Sequence, residues 1–584
     1  MLLNLLKSLL RHPFRQGRLR RARSFYEAAM AQKDAGNLAG ARRNLEIAVA
    51  ADPDHALAHY WLGLALARDR ELRGAAAHLE RALVLEPSLP DGWIDLGNTF
   101  AMQRDFEKAV ASFRAALSVA PDSMMARVNL GCMLDETGRP EEALRYLREA
   151  YQHAPQMEGV LRNFMNVLIQ TDRCDEALSV AESAVARDPG SYEAHLALGL
   201  ARQKLHDPVT ALESYETALR LHANDADLHD NRGTALLELG RVPEAIASYE
   251  RALAARPDFS RAAFHRALAR LLLGDYGAGW EDYELRQLNR DYPKREWTYP
   301  KWDGSRLEGR ALLITREQGL GDEIMFASCL PQLLDQAESC LVECDPRLVP
   351  LFRRSFPSAT VFGSTPDGSL PADIAGRAID VTVPAGSVPR HIRRAAADFP
   401  RHAGYLKADA RAVARWRERL ASLGPGLKVG ISWTGGVRKT RRGLRSIALE
   451  RLLPILQTPG TAFVSLQYTA DAADAVSALR GRHPVPLEHW RDAIEDYDET
   501  AALASALDLI VSVCTAVVHL GGALGRPVWV MSPYSPEWRY GFSGDTMPWY
   551  SSVRIFRQPA FDAWDPVISS VASELARLAS ARSI

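Results

Sequence analysis

The stretch from Tyr60 to Pro87, YWLGLALARDRELRGAAAHLERALVLEP, recurs in altered form along the first half of the chain at a step of 34 residues. Three series of small or helix-breaking residues keep this step: Ala41, Ala75, Ala109, Ala143, Ala177, Ala211 and Ala245; Gly63, Gly97, Gly131, Gly199 and Gly233; Pro53, Pro87, Pro121, Pro155, Pro189 and Pro257. Small residues let two helices approach closely, and a proline ends one helix pair before the next begins. The pattern predicts an all-α solenoid of roughly eight stacked helix pairs over residues 24–286.

Length, charge and cysteine content restrict the classes of protein to consider. A chain of 584 residues is too long for one core, so we expect two to four domains. The net charge of -1 gives no overall field that would attract nucleic acid, and we expect no nucleic-acid partner. Six cysteines without paired spacing favour a reducing, cytoplasmic location over a disulfide framework or a zinc site.

Residues 1–23 form a basic amphipathic segment in which six leucines precede six arginines. A signal peptide has the opposite order, and the apolar part is too short to span a bilayer. Two interpretations stay open. The segment is either a cap on the first repeat, or a peripheral contact with an anionic membrane, which would place the protein at the inner membrane face.

The pattern changes after Arg286. Residues 287–304, QLNRDYPKREWTYPKWDG, are rich in proline and aromatic residues and predict a packed connector. Short apolar runs then alternate with helical stretches, and we predict buried strands at ALLIT, KVGISW, TAFVSLQY, LDLIVSV and PVWVM. This alternation predicts parallel sheets with helices on both faces, arranged in two lobes over residues 305–412 and 413–584. The second lobe would end in a C-terminal helix, and a ligand cleft would lie at the carboxyl ends of the strands.

The segment LDLIVSVCTAVVHLGGALGRPVWVM, residues 507–531, predicts a strand that ends at Val513 and a helix that starts near Thr515. Unpaired N–H groups at such a start suit an anion such as a diphosphate, and Thr515 can cap the helix. His519 lies one turn further on the same face. The alternative is an ordinary strand–cap–helix unit in which His519 is a hydrogen-bonded core residue.

Three further segments carry candidate ligand contacts. In ALLITREQGLGDEIMFASCLPQL, residues 311–333, two glycines permit a sharp turn before Asp322, which also suits a helix N-cap. The loop TGGVRKTRRGLRS has a composition suited to phosphate, although a charge run can equally be a solvated loop; its basic residues are Arg438, Lys439, Arg441, Arg442 and Arg445. The segment SPYSPEWRYGFSGDTMPWY could form the wall of a nucleotide or sugar site, or pack the two lobes together; its candidates are Tyr534, Trp538, Arg539, Tyr540 and Trp549.

The repeats resemble the tetratricopeptide repeat family, and the second half resembles the heptosyltransferase-like glycosyltransferases. The signature S-x-D-T-x-x-x-H-L-x-x-A-L-G-x-P of the latter is matched at Ser512, Thr515, His519, Leu520, Ala523, Leu524, Gly525 and Pro527. Cys514 stands where that family usually has aspartate. The resemblance implies a two-lobed GT-B fold of two Rossmann-like parallel-sheet domains, with an acceptor lobe at 305–412 and a nucleotide-sugar donor lobe at 413–584. It also implies an inverting, metal-independent transfer in which Asp322, of the G-D-x-I motif, is the catalytic base.

Protein O-GlcNAc transferases also join such repeats to a two-lobed glycosyltransferase, and asparagines two residues before the Gly63-type position line their groove. In this chain the equivalent polar positions are Asp95, Asn129, Asn163 and Asn231. An amide donates and accepts, so it can hold a polypeptide backbone without recognising side chains. The alternative is that these residues are only solvated.

Together these features predict a protein glycosyltransferase that moves a sugar from a nucleotide-sugar to a Ser or Thr hydroxyl of a polypeptide held by the repeats. Bacterial flagellin glycosyltransferases share the layout. We expect no cofactor beyond the donor substrate, which would contact Thr515, His519, Lys439, Arg441, Arg442, Arg445 and Trp538. Two alternatives stay open: transfer to a glycan or lipid-linked acceptor with the repeats as a tether, and an inactive scaffold.

Overall fold

The computed structural model describes residues 2–157, 159–288, 292, 295, 298–436 and 442–582; for residues 2–15, 90 and 582 it describes the backbone alone. The chain forms two compact units, Met1–Asp207 and Pro208–Ile584.

Sixteen α-helices follow one another in the described residues up to Tyr283, and they confirm the predicted solenoid. They are α1 (Leu2–Asp34), α2 (Leu38–Ala51), α3 (Ala56–Arg68), α4 (Leu72–Leu85), α5 (Pro90–Met102), α6 (Phe106–Val119), α7 (Met124–Glu136), α8 (Pro140–His153), α9 (Val160–Gln170), α10 (Cys174–Arg187), α11 (Tyr192–Lys204), α12 (Pro208–Leu221), α13 (Ala226–Glu238), α14 (Val242–Ala255), α15 (Ser260–Leu273) and α16 (Tyr276–Tyr283). The helices α1–α11 belong to the first unit, and α12–α16 belong to the second.

The 34-residue series mark the closest helix contacts. All seven alanines are buried. A Cβ added to four of the glycines would lie 2.5–2.7 Å from a side chain of the next helix, which is closer than real Cβ atoms come; the pairs are Gly63 with Leu79, Gly97 with Phe113, Gly131 with Leu147 and Gly233 with Tyr249. The period therefore comes from steric contact within each pair.

The second half contains two sheets. Their strands are β1 (Ala311–Thr315), β2 (Ser339–Cys344), β3 (Thr360–Gly363), β4 (Val381–Pro384), β5 (Leu427–Ser432), β6 (Thr461–Ser465), β7 (Leu487–Glu488), β8 (Leu509–Val513), β9 (Val528–Ser532), β10 (Thr546–Met547) and β11 (Tyr550–Arg557). The first sheet has the order β3-β2-β1-β4 and is parallel throughout. The second has the order β10-β11-β9-β8-β5-β6-β7, with only β10 antiparallel.

Helices alternate with these strands. They are α17 (Leu320–Phe326), α18 (Leu330–Leu334), α19 (Val349–Ser355), α20 (Ala372–Ala375), α21 (Pro389–Ile392), α22 (Ala410–Ala421), α23 (Leu453–Leu456), α24 (Ala472–Arg482), α25 (Arg491–Glu495), α26 (Tyr497–Ala506), α27 (Ala516–Ala523) and α28 (Trp564–Arg582). The five apolar runs that we predicted as strands correspond to β1, β5, β6, β8 and β9. Their residues are almost all buried, because helices cover both faces of a parallel sheet.

The N-terminal segment 1–23 belongs to α1 from Leu2 onward, and most of its side chains lie outside the described residues. The choice between a cap and a membrane contact for this segment stays a prediction. Within the described part of the chain, no helix is both long enough and apolar enough to cross a bilayer.

Candidate active site at the ends of the two sheets

A cleft of about 590 Å³ opens where loops from the two sheets face each other. Residues 319–322, after β1, and Arg347, after β2, line it from the first sheet. Residues 514–517, after β8, and residues that follow β5, β6 and β9 line it from the second. This is the expected position for a ligand of parallel sheets, and the volume is in the usual range for a small-molecule site.

The start of α27 forms one wall of the cleft. Thr515 is its N-cap, and the Oγ1 atom accepts a hydrogen bond from the Val517 N–H at 3.1 Å. This cap and the end of β8 at Val513 are both as predicted. The N–H groups of Val517 and Val518 both donate to Thr515, so the attraction of this wall for an anion comes mainly from the positive end of the helix dipole.

His519 lies behind that wall. It is buried, and its Nδ1 atom lies 3.2 Å from the hydroxyl of Tyr550. Burial and the nearby charge of Arg539 lower the pKa of His519 to about 3. His519 is therefore a neutral, hydrogen-bonded residue at the edge of the cleft, and it offers no positive charge to a phosphate.

Gly321 allows the two sheets to meet at the cleft. The helix α17 packs against α27, and a Cβ on Gly321 would lie 3.2 Å from the Cα of Ala516 and 3.2 Å from the His519 ring. A larger residue would require Ala516 or His519 to shift by a few tenths of an ångström. This close approach brings Asp322 and Thr515 to the same cleft.

Asp322 does not cap α17, and that interpretation is wrong. The N-cap is Gly319, whose carbonyl accepts from the Glu323 N–H at 3.0 Å, so Asp322 is the third residue of the helix. Its side chain points to the cleft, and Oδ1 accepts hydrogen bonds from the Nε atom of Arg539, at 2.7 Å, and from Nη2. The side chains of Asp322 and Arg539 are 18% and 15% exposed.

This ion pair continues into a row of alternating charges. The Oε2 atom of Glu537 lies 3.4 Å from Nη1 of Arg539, and Oε1 accepts a hydrogen bond from Arg445. We call Asp322, Arg539, Glu537 and Arg445 the charged row. Sequence reasoning missed Glu537, and it treated Arg539 only as part of an aromatic segment.

Cys514 also borders the cleft. Burial, with a smaller contribution from the nearby carboxylate of Glu537, raises the pKa of this thiol to about 12, so the residue is uncharged. It thus supplies no carboxylate at the position where the heptosyltransferase-like enzymes have one. Glu537 supplies a carboxylate close by.

Tyr468 is a cleft residue that sequence reasoning missed. It follows β6, and it is 51% exposed although it lines the cleft together with partly buried Tyr497. An exposed ring in a cleft offers a flat apolar face against which a nucleobase can stack. The only sequence signal was an aromatic residue at the end of the predicted strand TAFVSLQY.

Trp538, which we predicted to contact the donor, does not line the cleft. It is buried in an aromatic cluster, with ring centroids 5.3 Å from Trp280, 5.8 Å from Tyr283 and 6.2 Å from Trp549. Two members of this cluster belong to α16, the last repeat helix. This part of the aromatic segment therefore packs the repeats against the second sheet.

The basic loop is described in part. Arg445 is buried and lines the cleft, whereas Arg442 is exposed at the start of the 3-10 turn Arg442–Arg445 and is not among the lining residues. Arg438, Lys439 and Arg441 lie outside the described residues, so their predicted phosphate contacts stay predictions.

The four predicted groove positions all lie on the first helix of a repeat pair. Asp95, Asn129 and Asn163 are in α5, α7 and α9 of the first unit, and Asn231 is in α13 of the second. Two of them already have side-chain partners. The Asp95 carboxylate accepts from the Tyr60 hydroxyl at 2.8 Å, and Asn129 donates from Nδ2 to Oδ1 of Asn98 at 3.0 Å.

Comparison with known proteins supports the repeats. Tetratricopeptide repeat models match residues 26–90, 94–158 and 231–291, and a second such model matches residues 136–201. A solved tetratricopeptide repeat protein from Parabacteroides merdae has 14% identity and a TM-score of 0.38, covering 42% of this chain and 98% of its own. The peroxisomal targeting signal receptor of Saccharomyces cerevisiae is 34% identical over 82 residues, which are 14% of this chain and 13% of the receptor.

One similarity extends beyond the repeats. Protein FlbA of Caulobacter vibrioides is 32% identical over 417 residues, which cover 68% of this chain and 69% of that protein. An alignment of this length and identity shows common descent, and this chain belongs to the family of Protein FlbA.

Proposed function

We propose that this chain is a protein glycosyltransferase that moves a sugar from a nucleotide-sugar donor to a Ser or Thr hydroxyl of a polypeptide held by the repeats. One observation carries the proposal. The Asp322 carboxylate from the first sheet lines the same cleft as the capped start of α27 and two arginines from the second. This combination provides a base next to an anion site.

Each side of the cleft has a role in the proposed reaction. The α27 start, with Arg445 and Arg539, would bind the donor diphosphate and stabilise the charge that develops on it. Tyr468 would stack on the nucleobase. The acceptor oxygen would attack the anomeric carbon while the bond from that carbon to the diphosphate oxygen breaks, and Asp322 would take the hydroxyl proton. Configuration inverts because the attack and the departure are on opposite faces.

Tetratricopeptide repeats commonly bind other proteins, which supports a polypeptide acceptor. The first-helix amides of Asn163 and Asn231 are partly exposed and can donate to and accept from a peptide backbone. Asp95 suits this role less well, since burial raises the pKa of its carboxyl and Tyr60 already donates to it. We therefore expect Asn163 and Asn231 to contribute more than Asp95 to the affinity for a polypeptide.

The test compares three versions of the full chain in a strain that lacks it: wild type, Asp322→Asn, and Asp335→Asn as a matched control on an exposed aspartate outside the cleft. Intact-mass spectrometry of proteins captured with the chain, and of flagellin, measures sugar addition. We expect a sugar-sized increment with wild type and with the control, and a loss of at least about a hundredfold in transfer rate with Asp322→Asn.

Three results would contradict the proposal. An increment that survives in Asp322→Asn would exclude this residue as the base. The absence of any protein increment, together with loss of a surface glycan in the deletion strain, would favour a glycan or lipid-linked acceptor. The absence of both would favour an inactive scaffold, in which Cys514 marks a degenerate donor site.

A further inference from the structure

We propose that the Asp322–Arg539 ion pair is a resting state of the cleft, and that the diphosphate of an incoming donor opens it by taking Arg539 as its own partner. The identity of the anion as a donor diphosphate rests on the proposed function. The competition between the anion and Asp322 for one guanidinium rests on the geometry alone.

In the resting cleft, the positively charged side chains are each paired with a carboxylate. Among the described residues, three arginines line it, and each has a carboxylate partner: Arg539 has Asp322, Arg445 has Glu537, and Arg347 has Asp345. His519 is neutral. At Arg539 each guanidinium nitrogen faces a carboxylate, since Nε and Nη2 donate to Asp322 and Nη1 lies 3.4 Å from Glu537, so an anion that pairs with this guanidinium competes with Asp322.

Arg539 is the cation that pairs with the proposed base, and the aromatic cluster holds the backbone turn on which it lies. The residue lies in the 3-10 turn Trp538–Tyr540, and the buried Trp538 ring fixes that turn against the last repeat helix. The guanidinium carbon lies 5.0 Å from the centroid of the Trp538 ring. The charged end can thus exchange partners while the turn stays in place.

The ion pair also suggests an order of events, in which the donor binds Arg539 before Asp322 takes the proton of the acceptor hydroxyl. In the resting state both Arg539 nitrogens donate to the Oδ1 atom of Asp322, so the lone pairs of that oxygen are occupied. A diphosphate offers a guanidinium two oxygens for bidentate pairing, and as a whole it carries more negative charge than a carboxylate. Once Arg539 turns to the diphosphate, Oδ1 as well as Oδ2 of Asp322 can face the acceptor hydroxyl and take its proton. Donor binding would therefore open the carboxylate oxygen that the resting ion pair occupies.

Inorganic pyrophosphate tests this competition without any sugar transfer. Isothermal titration of the full chain would compare wild type, Asp322→Asn, Arg539→Gln and the double variant, with Asp335→Asn as the matched control. We expect Asp322→Asn to bind pyrophosphate about tenfold more tightly than wild type, because Arg539 no longer has to leave a carboxylate. Arg539→Gln should bind more weakly. Adding Asp322→Asn to Arg539→Gln should change affinity less than about twofold.

The double variant separates competition from simple repulsion. If Asp322 only repels the anion, removing its charge strengthens binding equally with and without Arg539, and that result would overturn the inference. Equal or weaker binding by Asp322→Asn alone would also overturn it. Asp322→Ser provides a second variant, and misfolding cannot produce tighter binding in either one.

The outcomes for the two proposals are independent. If pyrophosphate competes with Asp322 for Arg539 but the wild type transfers no sugar, the proposed function is contradicted and the opening of the ion pair by an anion is supported. If the wild type transfers sugar, and Asp322→Asn changes pyrophosphate affinity equally in the wild type and in Arg539→Gln, only the opening of the ion pair is contradicted.

Discussion

Removing one partner of the buried ion pair between Arg286 and Glu317 should strongly destabilise the unit Pro208–Ile584. Arg286 follows the last repeat helix, and Glu317 lies in the loop between β1 and Asp322. The two residues are 3% and 9% exposed. We therefore expect Arg286→Met, which keeps most of the volume and removes the charge, to loosen the loop that leads into α17 and Asp322.

The contacts set the size of the effect. Glu317 accepts from the Nε atom of Arg286 at 3.2 Å and from Nη2 at 2.9 Å to each carboxylate oxygen. After the substitution it keeps the Gly386 N–H at 2.8 Å and the Tyr292 hydroxyl at 2.5 Å. Removing one partner of a buried pair costs about 3–5 kcal/mol, and the two remaining donors place the expected loss near the lower limit.

Urea unfolding followed by tryptophan fluorescence measures the loss, with Arg491→Met as the control. Arg491 and Glu495 form a pair whose side chains are 82% and 62% exposed, so this control should leave the urea midpoint unchanged. Glu317→Gln alone should also destabilise, and the double variant should lose less than the sum of the two by at least about 1 kcal/mol. The reasoning fails if Arg286→Met unfolds at the same urea concentration as Arg491→Met, or if the two losses simply add.

Two further predictions concern helix packing and pH. Gly131→Ala should destabilise the unit Met1–Asp207 by about 1–3 kcal/mol, because its Cβ would lie 2.6 Å from Leu147 Cγ. The control is Gly17→Ala, since nothing lies within 4 Å of a Cβ at that position. Equal urea midpoints for the two variants would contradict the prediction. Because burial lowers the pKa of His519 from 6.5 to about 3, the unfolded chain binds the extra proton between these values, and stability rises with pH there by up to about 1.4 kcal/mol per unit. The free energy of unfolding should therefore rise less steeply with pH, between about pH 4 and 7, for His519→Gln than for wild type. Equal slopes for the two proteins would exclude a neutral buried His519.

Local patterns predicted those features that depend on nearby residues. The 34-residue step required only that each small residue meet the next helix, as Gly131 meets Leu147. The end of β8 at Val513 and the cap at Thr515 depend on a few adjacent residues, and both were predicted correctly. Periodicity and capping are short-range effects, so one sequence is enough to detect them.

The charged row could not be predicted in this way. Asp322 and Arg539 are 217 residues apart and meet only because α17 and α27 pack together through Gly321. The helix start at Gly319 was also missed, since a glycine carbonyl can accept the first helical hydrogen bond without any side-chain cap. Nothing in the local sequence distinguishes that start from one at Asp322.

The wrong assignment of Trp538 shows how the repeats relate to the cleft. Trp538 packs on Trp280 of α16, and the neighbouring Arg539 reaches Asp322. The same helix holds the other loop, because the Tyr283 hydroxyl bonds to Gln318, four residues before Asp322. A repeat array that served only as a tether would need no bonds to either loop. The last repeat helix instead contacts the loop that leads into α17 and the turn that carries Arg539, which makes α16 part of the framework of the proposed active site.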